Sequence, residues 1–133
     1  MLKNKKKITF LTGTRADFGK LKSLISITDN SKLFEVDIFV TGMHLKRKYG
    51  YTIDEIKKSG FKNIYSFNNS KTSLKMDTIL ANTIRGFSEY VYATKPDLII
   101  VHGDRIETLA CAVSCSLNNI KIGHIEGGEL SGT

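Results

Sequence analysis

The sequence is poor in residues that break or staple a chain: one proline, two cysteines and no tryptophan in 133 residues. So little proline excludes a proline-rich linker or a collagen-like chain. The two cysteines, Cys111 and Cys115, stand four apart in a helical pattern. They form neither the C-x-x-C of a redox motif nor a zinc-ligand spacing, and read as small buried thiols of a reducing compartment. Apolar runs are short as well. Leu98–Val101 is a core-strand run of four residues, against the roughly 20 that a membrane-spanning helix needs. The apolar stretch behind the N-terminal charges is too short for the roughly 7–15-residue apolar region of a secretory signal, so a cytoplasmic location is expected. What is present is globular: 41% hydrophobic and 25% charged residues, in a length that suits one domain.

The formal net charge is +7. The excess is local, since Lys3, Lys5, Lys6 and Lys7 precede the first apolar strand and Lys46, Arg47 and Lys48 form a second run. Neither run is interleaved with aromatic residues, and no zinc or RNA-binding motif accompanies them. No nucleic-acid partner is expected, and the first run reads as a solvated basic tail.

Strand and helix patterns alternate along the chain. Ile8–Thr12 is a short apolar strand ending at Gly13, followed by Leu21, Leu24, Ile25 and Thr28 at helical spacing. Phe34, Val36, Ile38 and Val40 alternate with Glu35, Asp37 and Phe39 as a period-2 strand. A weaker helix covers about 52–59, and Lys62–Phe67 reads as a short strand. Met76, Ile79, Leu80, Thr83, Ile84, Phe87, Tyr90 and Val91 keep the i, i+3, i+4 rhythm of the strongest helix. Leu98–Val101 predicts a strand buried on both faces, Ile106–Leu117 a helix, and Lys121–Ile125 a fifth strand. This alternation predicts a Rossmann-like α/β domain, a parallel sheet with flanking helices, for which 3-2-1-4-5 is the common strand order. The glycine-rich end, Glu126–Thr133, follows a strand with no helix after it. The chain is therefore expected to be part of a longer protein.

In such a sheet, ligands bind beyond the carboxyl ends of the strands, where the winding order switches. Three loops meet there. The first, Gly13-Thr14-Arg15-Ala16-Asp17-Phe18-Gly19-Lys20, is bounded by glycines and opens a helix, a place that receives anions. It has one residue too many for a P-loop, and Leu21 stands where the magnesium-binding hydroxyl would be, so a nucleoside-triphosphatase site is rejected. Arg15 offers a planar charged fork suited to a diphosphate, and Asp17 a first-turn acid that complements the helix dipole. The second loop is His102-Gly103-Asp104-Arg105-Ile106-Glu107, in which Asp104 and Glu107 have the spacing of a capping box. Asp104 is also an acid/base candidate beside the guanidinium of Arg105, while His102 reads as a strand-end histidine with a satisfied hydrogen bond. In the third loop, Glu126 follows His124 by two residues and precedes Gly127-Gly128. It offers a second carboxylate to the same crevice.

The segments TGTRADFGKL (12–21), VHGDRIETLA (101–110) and HIEGGELSGT (124–133) together resemble the UDP-N-acetylglucosamine 2-epimerases. GDR and EGGE resemble the hydrolysing branch that serves sialic-acid-type synthesis. The resemblance implies most of the N-terminal domain of a GT-B-like, two-domain enzyme, with no metal and no nicotinamide. It places Asp104 and Glu126 among the catalytic acids, and Arg15, Gly19 and Arg105 near the bound UDP. A further acid, a histidine and more nucleotide contacts are implied in segments outside these residues. So is a homodimer of the full-length protein, to which the Met76–Val91 helix is a candidate contributor. The implied reaction converts UDP-N-acetylglucosamine and water to N-acetylmannosamine and UDP through a glycal. The same reaction on UDP-2,4-diacetamido-2,4,6-trideoxyglucose, for legionaminic acid, is the alternative. A non-catalytic nucleotide-sugar-binding module is the competing reading from another class.

Overall fold

The computed structural model describes residues 4–46 and 50–128. Lys3, Arg47, Lys48 and the closing 129–133 of the third motif lie outside the described residues. Five strands form one parallel sheet: β1 (Lys6–Thr12), β2 (Phe34–Val40), β3 (Asn63–Ser66), β4 (Leu98–His102) and β5 (Lys121–Ile125). Their order is β3-β2-β1-β4-β5, the common doubly wound arrangement. Four helices connect them: α1 (Arg15–Asn30), α2 (Ile53–Lys58), α3 (Met76–Thr94) and α4 (Ile106–Leu117).

The side chains divide the molecule into two layers. Ile8, Phe10, Val36, Ile38 and Val40 pack with Phe18, Leu21 and Ile25 of α1 and with Ile53 and Ile56 of α2. On the opposite face Leu11, Phe39, Ile99 and Val101 pack with Phe87, Tyr90 and Val91 of α3 and with Cys111 and Cys115 of α4. The helices change faces after β3. The next strand, β4, therefore joins the far side of β1, and this opens the crevice between the ends of β1 and β4. Both cysteines are buried free thiols, as expected, and burial pushes the Cys115 thiol up to about 11.

Two strands depart from the pattern read in the sequence. In β2 every residue from Val36 to Val40 is buried, so the polar member of the alternation, Asp37, faces a core rather than water. Tyr90 donates a hydrogen bond to Asp37 Oδ2 at 2.7 Å, and Lys7 Nζ lies 4.0 Å away. Lys7 is thus a sheet residue and not part of a solvated tail. In β4 only Ile99 and Val101 are fully buried, while Leu98 and Ile100 are half-buried. α1 and α2 cover β1 to β3 on that face and leave β4 and β5 less protected, so the expectation of burial on both faces fails. Among the described residues, no helix is long and apolar enough to cross a membrane.

Candidate functional site

The first loop is shorter than its glycines suggest. Helix α1 begins at Arg15, so only Gly13 and Thr14 lie between it and β1. Thr14 is its N-cap. The Thr14 hydroxyl accepts from the Asp17 backbone N–H at 3.1 Å, and Asp17 Oδ2 accepts from the backbone N–H groups of Gly13 and Thr14, each at 3.1 Å. This is a capping box with Asp as its acid, built on α1 and not, as the spacing of Asp104 and Glu107 predicts, on α4. At α4 the N-cap is Arg105, and no side chain caps the helix.

The second and third loops are laced together. The Gly103 N–H donates to Ile125 O at 3.0 Å, and the His124 ring donates through Nε2 to Gly103 O. Gly103 has φ +77°, a left-handed conformation open to glycine. A Cβ at Gly127 would overlap the His124 ring, so that glycine clears the space the ring fills. Glu126 itself has φ +55°. A non-glycine residue in that region costs roughly 1–2 kcal/mol, and the turn spends it to set this carboxylate beside β4.

His102 joins all three loops. Its Nδ1 lies 2.8 Å from Asp17 Oδ1, and its Nε2 lies 2.9 Å from Glu126 Oε2. The other Glu126 oxygen lies 3.4 Å from Lys20 Nζ on α1. His102 is therefore more than the strand-end histidine read from the sequence, because it bridges two carboxylates 109 positions apart in the chain. Partial burial lowers its basicity, but the hydrogen bonds and charges of Asp17 and Glu126 outweigh this and hold the imidazole above its ordinary pKa. The Glu126 carboxyl is held below its ordinary value, first by the hydrogen bond from His102 and then by the Lys20 ammonium.

The remaining predicted residues are spread around this centre. Asp104 is exposed in the loop after β4. Arg105 Nε lies 3.4 Å from the nearly buried Glu107 carboxylate. Glu107 in turn wedges against the ends of β1 and β2: a Cβ at Gly13 would meet Glu107 Oε1 at 3.0 Å, and one at Gly42 at 2.8 Å. Arg105 and Glu107 line a cleft of about 150 Å³ with Gly42, Met43, Lys46 and Asn69. Arg15 pairs instead with Glu55 of α2 at 3.3 Å, its side chain 75% exposed. Gly19 is an exposed position inside α1, and a Cβ there would meet nothing within 4 Å. Sequence reasoning gave Asp17 and Glu107 only helix-terminus roles. T-x-x-D over 14–17 was the legible signal for the first capping box, whereas nothing local announces the bridge from Asp17 to His102.

The sequence model of the family described as UDP-N-acetylglucosamine 2-epimerase matches residues 27–132. The chain belongs to that family. Among curated relatives, a UDP-N-acetylglucosamine 2-epimerase of Neisseria meningitidis is 43% identical over 96% of this chain and 34% of its own length. A UDP-N,N'-diacetylbacillosamine 2-epimerase (hydrolyzing) of Legionella pneumophila is 36% identical over 96% of this chain and 35% of its own length. The chain thus spans about a third of the length of these 2-epimerases. Among solved structures, the UDP-GlcNAc 2-epimerase from Neisseria meningitidis bound to UDP-GlcNAc superposes with a TM-score of 0.81, at 25% identity, over 92% of this chain and 32% of that one.

Proposed function

We propose that the full-length protein is a hydrolysing 2-epimerase of a UDP-N-acetylhexosamine, and that these residues form most of the first domain of a GT-B-like pair. The observation that carries the reading is the convergence of the three loops on Glu126 through His102 at the carboxyl edge of the sheet. UDP-N-acetylglucosamine is the proposed substrate and N-acetylmannosamine, for sialic-acid-type synthesis, the proposed product. A full-length homodimer in the cytoplasm is part of the same proposal.

The chemistry divides into two steps. In the first, the C2–H and C1–O bonds of the sugar break, which releases UDP and leaves the 2-acetamidoglycal. In the second, water adds across the double bond: hydroxyl to C1, and a proton to C2 on the opposite face. The first step needs a carboxylate to take the proton while charge builds on the leaving diphosphate, and the second needs a proton returned. Asp104 and Glu126 are assigned jointly to these transfers. Arg15, Arg105 and the helix N-terminus beside Gly19 are assigned to the diphosphate. The cleft beside Arg105, at about 150 Å³, is smaller than the roughly 300–1,000 Å³ of ordinary ligand pockets. In this proposal a second domain supplies the rest.

The deciding experiment incubates the full-length protein with UDP-N-acetylglucosamine in D₂O and follows it by NMR. UDP and free N-acetylmannosamine carrying one deuterium at C2 are expected; recovery of unchanged, unlabelled substrate would refute the reading. The 36% identity to the Legionella pneumophila 2-epimerase favours a second reading, the same reaction on a UDP-2,4-diacetamido-2,4,6-trideoxyhexose, and a parallel incubation with that sugar separates the two. Gly19→Ala tests the diphosphate assignment. An unobstructed, exposed helix position should gain about 0.5–1 kcal/mol from the change, so the melting temperature should rise. If the bare backbone is kept there for close approach of UDP, calorimetry will show weaker UDP binding in the same, more stable protein.

A further inference from the structure

His102 has both ring nitrogens against carboxylate oxygens, Nδ1 against Asp17 at 2.8 Å and Nε2 against Glu126 at 2.9 Å. A neutral imidazole carries one N–H and can donate to only one of them. Two ionised acceptors at these distances require the imidazolium. The two acids are not equivalent. The Asp17 side chain is 12% exposed, and its second oxygen is held by the N–H groups of Gly13 and Thr14. It is an anchored, inner carboxylate whose charge is balanced by the N-terminus of α1. The Glu126 side chain is 50% exposed and faces outward on a left-handed turn. The ring connects a fixed acid to an accessible one.

Resting on the functional reading above, we infer that Asp17 and His102 are positioning residues for the reaction: Asp17 fixes and charges the His102 ring, and the ring holds the Glu126 carboxylate in place, ionised and ready to accept a proton. Among the described residues, few charged groups face this relay. Asp17 and Lys20 reach it from α1, and Glu126 from the turn after β5. When Glu126 takes a proton, its hold on Nε2 weakens while the pair of His102 and Asp17 persists. The half-exposed Glu126 then gives that proton to solvent, and the imidazolium beside it favours the ionised carboxylate before the next turnover.

The test uses the full-length protein and two variants. Asp17→Asn keeps a capping oxygen for the Gly13 and Thr14 N–H groups but removes the charge, and His102→Gln keeps a donor to Glu126 but removes the cation. In both, the acidic limb of the pH profile of kcat/KM should move up by about one unit, since an opposite charge at this distance shifts a carboxyl by 1–3 units. kcat should fall by about tenfold or more in both, with KM for the UDP-sugar within about twofold in His102→Gln, because the ring is not assigned to the nucleotide, whereas Asp17 also caps the helix end assigned to the diphosphate. The ring is read independently of turnover by its ¹⁵N titration, which should lie above about 6.5 in the wild type and drop in Asp17→Asn and in Glu126→Gln. A wild-type pH profile in His102→Gln, or a ring that titrates near 6.5 and ignores both carboxyl substitutions, overturns the inference. Failure of the wild type to turn over any UDP-sugar ends the functional reading instead, and the titration still decides whether the ring couples the two acids.

Discussion

Glu126→Gln in the full-length protein is expected to lower kcat by about 10²–10⁴-fold, the usual contribution of one acid/base group, while KM for the UDP-sugar changes little. Glutamine preserves the length of the side chain and can still accept a hydrogen bond from the His102 ring, but its amide cannot take up the C2 proton. Because Glu126 is held ionised by His102 and Lys20, the substitution removes a charge that exists at rest. Asp104→Asn is expected to have an effect of similar size, since the reaction needs a proton removed and a proton returned. The two need not affect both half-reactions equally. Supplying the glycal and UDP separately, and following hydration alone, assigns each acid to its step. Near-normal turnover in both variants would remove the catalytic assignment, and a loss confined to KM would move these residues to substrate binding.

How far this site is legible in the sequence depends on the range of the interactions that build it. The alternation of apolar strands with helical patterns gives a parallel sheet with right-handed crossovers, and the common doubly wound arrangement supplies the strand order. That order places the loops after β1, β4 and β5 at one edge. Glu126 is legible as an acid with no packing purpose ahead of two glycines. The relay is not, since Asp17 and His102 lie 85 residues apart and each has an adequate local explanation, a first-turn acid and a strand-end histidine. The capping-box spacing after β4 misleads for a related reason. Asp104 and Glu107 have the right spacing, but Arg105 occupies the N-cap and Glu107 is drawn under the ends of β1 and β2 by the space at Gly13 and Gly42. Asp37 shows the same limit. A polar residue in an alternating strand predicts a wet face, yet a tyrosine 53 positions on makes its burial tolerable.

Between pH 4 and pH 8, His44 is expected to give the largest pH dependence of stability in the described part of the molecule. It sits fully buried in the short 3₁₀ turn Gly42–Leu45 that follows β2. Its Nε2 lies 2.8 Å from the Thr12 hydroxyl and its Nδ1 2.7 Å from the Thr52 hydroxyl. Both partners are neutral and can accept or donate, so the uncharged ring is satisfied on both sides where an imidazolium would be desolvated. Burial lowers its pKa from 6.5 to about 4, against the opposing pull of Asp17. Below pH 6.5 the unfolded chain takes up a proton that the folded one refuses, so this contribution to stability is intact above that pH and is lost as the pH falls toward 4, by about 3 kcal/mol in all. His102 works in the opposite sense, because its raised pKa contributes stability that is present below pH 6.5 and is lost as the pH rises through the folded value. Melting temperatures measured from pH 8 to pH 4 should therefore fall steeply through the acid range in the wild type. In His44→Gln, which retains a donor and an acceptor for the two threonines, the acid slope should flatten. An unchanged slope would mean that the ring is not buried in its neutral form. Asp17 acts on both histidines. It fails to charge His44, which has no carboxylate in direct contact, and succeeds with His102, where a second carboxylate shares the ring.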